Sequence, residues 1–179
     1  MKKYSSKILS AAKNIKLIAT DIDGVLTAGE VILLENNEEI KIWNVKDRAA
    51  IAYIKKHLPD VKFAWITGRQ SKQVRLRARE LKIDRLIQSC DDKKQALAGI
   101  AADFKINLSQ VAYIGDDIID IGVLKSAGLS VCPADASDDV KQNVMYISAY
   151  EGGKGVLREV CEIILKSKGE WDKVLKYYL

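Results

Sequence analysis

The chain has 179 residues, 48% of them hydrophobic, with 29 basic and 24 acidic side chains, a net charge of +5 and a pI near 9.0. That length and apolar content suit one globular domain over residues 1–179, and basic and acidic residues interleaved along the chain argue against a nucleic-acid face. No apolar run approaches the roughly 18 residues of a membrane span, "MKKYSSKILSAAKNIK" lacks a signal peptide's apolar segment, and Cys90, Cys132 and Cys161 have no CxxC or Cys/His companions; a cytoplasmic protein with reduced thiols is expected.

The first strand-length apolar run, "KLIAT" at 16–20, stops at "DIDG", which sets Asp21 and Asp23 two positions apart. The segment 30–45 follows as two strands predicted to join at Asn36-Asn37 in a β-hairpin. Val31, Ile32, Leu33, Leu34, Ile40, Ile42 and Trp43 give it more apolar surface than a lone solvated hairpin carries, so burial in an oligomer is preferred over packing on its own domain. Helix periodicity covers 46–57, 71–82, 93–104 and 117–126, alternating with apolar runs at 62–66, 85–88, 110–114, 128–131 and 144–147. His57 reads as a helix-end surface residue. "GGKG" at 152–155 lacks a P-loop's GKT or GKS ending and is expected to be a hinge before an amphipathic helix. The tail, about 168–179, holds Trp171, Leu175, Tyr177 and Tyr178 and should dock on this subunit or a neighbour.

Alternating strands and helices imply right-handed crossovers and a mostly parallel sheet covered on both faces: a three-layer α/β/α sandwich. In such sheets ligands bind beyond the carboxyl ends of the strands, where "DIDG", "TGR" and "GDD" fall. Like charges as close as Asp21 and Asp23 need compensation, and hard divalent cations are the usual one for clustered oxygen ligands. Asp116, Asp117 and Asp120 in "GDDIID" form a second acidic group; Asp21 and Asp116 can share one Mg²⁺, with no His or Cys to favour a softer metal. Thr67 and Gly68 offer a hydroxyl and backbone N–H groups to an anion, and Lys93 a positive charge at a helix start. Acidic metal ligands beside an anion cradle describe a phosphoryl-transfer site.

"DIDGVLT", "ITGR", "DDKK" and "GDDIID" resemble the signature motifs of the haloacid-dehalogenase-like phosphohydrolases. From about residue 15 to about 170, including "NVKD" at 44–47 and "GGKGVLREVCEIIL" at 152–165, the chain is similar to their capless members acting on 3-deoxy-D-manno-octulosonate 8-phosphate. The resemblance implies that Asp21 attacks phosphorus to form an aspartyl phosphate and that Asp23 protonates the leaving sugar oxygen, then activates water. It implies Thr67 on a phosphate oxygen, Lys93 on phosphate and nucleophile, and Mg²⁺ held by Asp21, Asp116 and the main-chain carbonyl of Asp23. Asp117 and Asp120 would support metal waters or orient Lys93. On this reading Asp23 carries a proton near neutral pH, while the metal draws Asp21 into the anionic role.

The same resemblance implies a homotetramer in which a neighbour's hairpin and tail cover each site. A substrate carboxylate would want a guanidinium, with Arg69 the first candidate and Arg77 the second. Similar enzymes for nine-carbon sugar acids tend to carry glutamate at the Arg69 position, which leaves them as the alternative. Where the family reads Asn-Val-Arg-Asp-Gly this chain has "NVKDR", so Lys46 and Arg48 bear on substrate choice. A receiver domain would order its motifs differently, and an oligomerisation module is the non-enzyme alternative.

Overall fold

β1 (Leu17–Thr20) is buried at all four positions, and its two neighbours, β4 (Lys62–Ile66) and β6 (Val111–Ile114), are buried almost throughout. Runs of Ile, Val, Leu and Ala without polar alternation become the middle of a sheet covered on both faces. The computed structural model describes residues 4–36 and 38–179 and orders six parallel strands β5-β4-β1-β6-β7-β8, with β5 (Arg85–Ile87) and β8 (Tyr146–Ile147) at the edges and β7 (Leu129–Cys132) between β6 and β8. The chain runs outward from β1 on one side and returns to β6 on the other, so the strand order reverses between β1 and β6. Crevices for ligands open at that kind of reversal.

Side chains of β1 alternate between two cores. Ile18 joins a core built with α1 (Ser6–Lys13), α2 (Val45–His57), α3 (Lys72–Glu80), α7 (Val156–Ser167) and α8 (Trp171–Tyr177); Leu17 and Ala19 join one built with α4 (Lys93–Asp103), α5 (Ile121–Leu124) and α6 (Asp138–Lys141). The expected α/β/α sandwich is observed. The amino-terminal helix α1 is an addition to the elements expected from periodicity.

The hairpin differs from expectation in length. β2 (Ile32–Leu33) and β3 (Glu39–Ile40) pair antiparallel over only two residues each, since most of their apolar side chains are uncovered in the subunit and a bare ribbon is marginal. Val31, Ile32, Leu33, Leu34, Ile40 and Ile42 are exposed. Asn36 lies in the turn; Asn37, its expected partner there, lies outside the described residues, as do residues 1–3. Trp43 is not part of the exposed patch: its ring stacks on Trp65 at 5.7 Å.

Two glycines explain "GGKG". A Cβ on Gly152 would lie 2.1 Å from the Gly24 carbonyl oxygen, and one on Gly153 (φ +68°) 2.7 Å from the Ala28 nitrogen. The Gly153 N–H also donates to the Val25 carbonyl at 2.9 Å. In place of an expected hinge, this turn is wedged against the "DIDGVLT" loop and buttresses it. Only part of the tail docks on its own subunit: Val174 is buried and Arg158 lies over the Trp171 ring at 5.5 Å, whereas Leu175, Tyr177 and Tyr178 are exposed.

Candidate active site

The loops after β1 and β6 converge because those strands are neighbours: the Asp21 N–H continues the ladder, donating to the Ile114 carbonyl at 2.9 Å. Asp21 is buried; its Oδ1 accepts from the Ile22 N–H at 2.7 Å and its Oδ2 from Lys93 Nζ at 2.7 Å. Lys93 arrives as the first residue of α4, whose N-terminus is capped by Asp92. It also donates to Asp120 Oδ1 at 2.8 Å. Burial works to lower the Lys93 pKa, but the facing Asp21 and Asp120 carboxylates outweigh it and raise it, so the ammonium form holds.

Asp120 is completely buried. Its Oδ1 accepts also from the Tyr113 hydroxyl at 3.0 Å, and its Oδ2 from the N–H groups of Asp116 and Asp117 at 3.2 and 3.5 Å. A Cβ on Gly115 would lie 2.6 Å from the Asp120 Cβ, so glycine there lets the carboxylate fold back over the loop. Burial, then Asp120 and Asp21, push the Tyr113 phenol well above its ordinary range, so it donates. Asp117 is exposed; its side chain accepts from the Ile118 N–H at 2.7 Å and, in a capping box, from the Asp120 N–H.

Asp23 occupies a different environment. Its Oδ1 pairs with Lys41 Nζ from the hairpin and lies 3.4 Å from Thr27 Oγ1; its Oδ2 is 3.7 Å from Arg69 Nε. Glu39 links these cations, with Oε2 accepting from Arg69 Nη2 at 3.1 Å. Thr67 is buried, and its Oγ1 accepts the Arg69 N–H at 3.2 Å, shaping the anion loop. A Cβ on Gly68 would meet the Cys90 carbonyl oxygen at an ordinary 3.7 Å, so space does not demand glycine there.

Residues 86–160 match the model of the haloacid dehalogenase-like hydrolase family. The 3-deoxy-D-manno-octulosonate 8-phosphate phosphatase of Escherichia coli is 37% identical over 173 residues, covering 94% of this chain and 89% of that protein. The chain belongs to the haloacid dehalogenase-like hydrolases, in the 3-deoxy-D-manno-octulosonate 8-phosphate phosphatase family. The crystal structure of such a phosphatase from Moraxella catarrhalis, in complex with magnesium ion, phosphate ion and KDO, superposes with a TM-score of 0.94 at 36% identity, over 98% of this chain and 100% of that one. The cobalt-bound enzyme of Haemophilus influenzae gives 0.85 at 34% identity, over 89% and 92%.

The hydrolase's own residues fit the divalent cation seen in those relatives. Ligand oxygens of Asp21, Asp116 and Asp120 lie within 4.8 Å of one another, and Asp116 Oδ1 is buried without a hydrogen-bond partner. Burial, then the Asp21 and Asp120 charges, push Asp116 up to about 7, and burial pushes Asp21 to about 6 despite Lys93. A buried and a half-buried carboxylate in that state, with only oxygen donors, suit a hard cation. Gly24 (φ +83°) keeps the space open, since a Cβ there would lie 2.0 Å from Asp116 Oδ2. Asp120, each of whose oxygens already accepts two hydrogen bonds, is less available than Asp21, whose oxygens accept one each, so Asp21 and Asp116 are the side chains that could hold Mg²⁺.

Three other expected contact residues lie outside this cluster. Arg77 sits over the Trp43 ring at 5.9 Å and pairs with Glu80 at 2.6 Å; Arg48 is exposed, with Glu80 at 3.7 Å. Lys46, the second residue of α2, lies beside Gly155. Sequence reasoning passed over Lys41, Glu39 and Tyr113. Lys41 and Glu39 look like solvated hairpin residues, and Tyr113 like a core aromatic; only their long-range partners distinguish them. Beside the proton that the resemblance assigns to Asp23, the structure shows a partner the sequence did not point to, Lys41 Nζ on Asp23 Oδ1.

Proposed function

We propose that this protein is a Mg²⁺-dependent phosphatase that hydrolyses 3-deoxy-D-manno-octulosonate 8-phosphate. The observation that carries the reading is the buried Asp21–Lys93 pair beside the unpartnered Asp116 oxygen, in a chain similar over 94% of its length to a phosphatase of that name. The Asp21 carboxylate forms a bond to phosphorus as the bond from phosphorus to the sugar oxygen breaks, and that oxygen takes a proton from Asp23. Water then attacks the aspartyl phosphate, Asp23 receives its proton, and Asp21 and inorganic phosphate are released. Lys93 holds Asp21 in place and offsets phosphate charge, while the Thr67 hydroxyl and the Gly68 N–H serve the phosphate oxygens. Mg²⁺, held by Asp21, Asp116 and the Asp23 carbonyl, supplies the remaining positive charge. Asp120 orients Lys93; exposed Asp117 would support water on the cation. To serve as the acid, Asp23 must release Lys41 and take up a proton from solvent as substrate enters; it passes that proton to the sugar oxygen and regains one from the attacking water.

Arg69 is the first candidate for the substrate carboxylate because it already stands 3.7 Å from Asp23. Arg77, Arg48 and Lys46, directed elsewhere within the subunit, are secondary. The enzyme is read as one domain and as a cytoplasmic homotetramer; the exposed apolar hairpin supports the oligomer, and no helix among the described residues is long and apolar enough to cross a membrane. The test is phosphate release by purified protein from a panel of sugar phosphates, with and without Mg²⁺ and EDTA. The eight-carbon acid is expected to give the highest kcat/KM and EDTA to abolish turnover. A nine-carbon acid ranking first would select the alternative, and a neutral hexose phosphate ranking first would remove the role of Arg69.

A further inference from the structure

We propose that Tyr113 is a positioning residue that sets the catalytic lysine, acting through Asp120; this rests on the phosphatase reading above. The hydroxyl of Tyr113 and the ammonium of Lys93 converge on the same oxygen, Asp120 Oδ1, at 3.0 and 2.8 Å, and Lys93 reaches on to Asp21 Oδ2 at 2.7 Å. The chain Tyr113–Asp120–Lys93–Asp21 is buried throughout.

Lys93 lies almost equidistant from two carboxylates, and only one of them is the nucleophile. An ammonium shared in this way is placed by whichever acceptor is held more firmly. Asp120 Oδ2 is pinned by two loop N–H groups, but its Oδ1 faces the sheet, where Tyr113 projects from β6. The hydroxyl occupies acceptor capacity on Oδ1 and fixes its position, which limits how far Asp120 can draw Lys93 from Asp21. Fixed Asp120 geometry then becomes fixed Lys93 geometry at the phosphate. The packing of Tyr113 does not itself require the oxygen: its ring belongs to the apolar core that also holds Leu17, Ala64, Leu97, Val123 and Leu124, which a phenylalanine ring would fill as well.

The experiment compares wild type, Tyr113→Phe, Lys93→Ala and the double variant, on 4-nitrophenyl phosphate and on the octulosonate phosphate, with Mg²⁺. Tyr113→Phe is expected to lower kcat about tenfold while KM stays within twofold, because the sugar contacts lie on the hairpin side. In the Lys93→Ala background the same change should alter residual turnover less than twofold, since the group through which Tyr113 acts is gone. Site-specific 3-fluorotyrosine at 113 keeps the hydroxyl and should retain kcat within twofold, which guards against a folding defect in Tyr113→Phe. A Tyr113→Phe kcat within twofold of wild type would overturn the proposal, as would equal proportional losses with and without Lys93. Wild-type turnover of the aryl ester but not of the sugar acid phosphate would overturn the substrate reading instead, and the Tyr113 comparison would still be decided on the aryl ester.

Discussion

The two carboxylates of "DIDG" face opposite kinds of surroundings. Asp21 looks into the protein, toward Lys93 at the start of α4 and Asp120 beyond β6, all buried and held by neighbouring strands and helices. Asp23 looks outward, toward Lys41 and Glu39 on a hairpin whose paired strands are two residues long and whose apolar side chains are exposed. The inward half owes its geometry to the core and is preorganised. The outward half owes its geometry to a marginal element, so it can rearrange around a substrate or a second copy of the chain. Adjacent like charges are tolerated because each has its own lysine, one from the scaffold and one from the hairpin.

Removing the nucleophile separates the halves most sharply. Asp21→Asn is expected to lower turnover on the order of 10³-fold or more with no loss of melting temperature, because burial already disfavours the Asp21 charge; phosphate release and thermal unfolding measure both. Undiminished turnover would refute the covalent mechanism. Lys93→Ala should cost about 10²–10³-fold in kcat and also destabilise the fold by roughly 3 kcal/mol or more, since it leaves Asp21 and Asp120 buried without their cation. Stability unchanged in urea unfolding would show that the inward half is not held by this pair.

Lys41→Met tests the outward half, with a smaller expected loss of about tenfold in kcat/KM and little change in melting temperature. A loss as large as that of Lys93→Ala would erase the distinction between the two sides.

Asp47 sits at the root of the hairpin, where its Oδ1 accepts the Arg158 N–H at the start of α7 at 2.8 Å. Burial pushes it up to about 6, against that hydrogen bond and the Arg158 charge. The native protein therefore binds more protons than the unfolded chain between about pH 4 and 6. The stabilisation from this group is complete below about pH 4 and is lost as pH rises through 6, about 3 kcal/mol in all. Asp47→Asn keeps an acceptor for Arg158, so urea unfolding across pH 4–7 should show a flatter dependence than wild type. An identical slope would reject the buried-acid account. The smallest effect on the subunit is expected from Leu33→Asp: sedimentation should report dissociation, with the melting transition of the monomer nearly unchanged. Persistence of the oligomer would place its interface away from the hairpin.

Much of the architecture was legible because its strands are continuous apolar runs and its helices keep their period. The loops bearing Asp21, Thr67, Lys93 and Asp116 could be assigned to one end of the sheet, since parallel strands present their carboxyl ends together. The hairpin's length was not legible, because strand extent depends on partners outside the segment. Arg77 shows the same limit: arginine near a motif invites a substrate role, but a tryptophan ring and Glu80 claim it in the fold.

By itself, the sequence determined the alternation of strands and helices, the oxygen-rich donor set and the residue types that handle phosphate, because these follow from local periodicity and side-chain chemistry. Only the tertiary structure decided which lysine serves which carboxylate, that Asp120 rather than Asp117 receives Lys93, and that Tyr113 joins them. Each of those contacts bridges elements distant in the chain, and a distance of about 3 Å between them is set by how the strands pack and by nothing encoded locally.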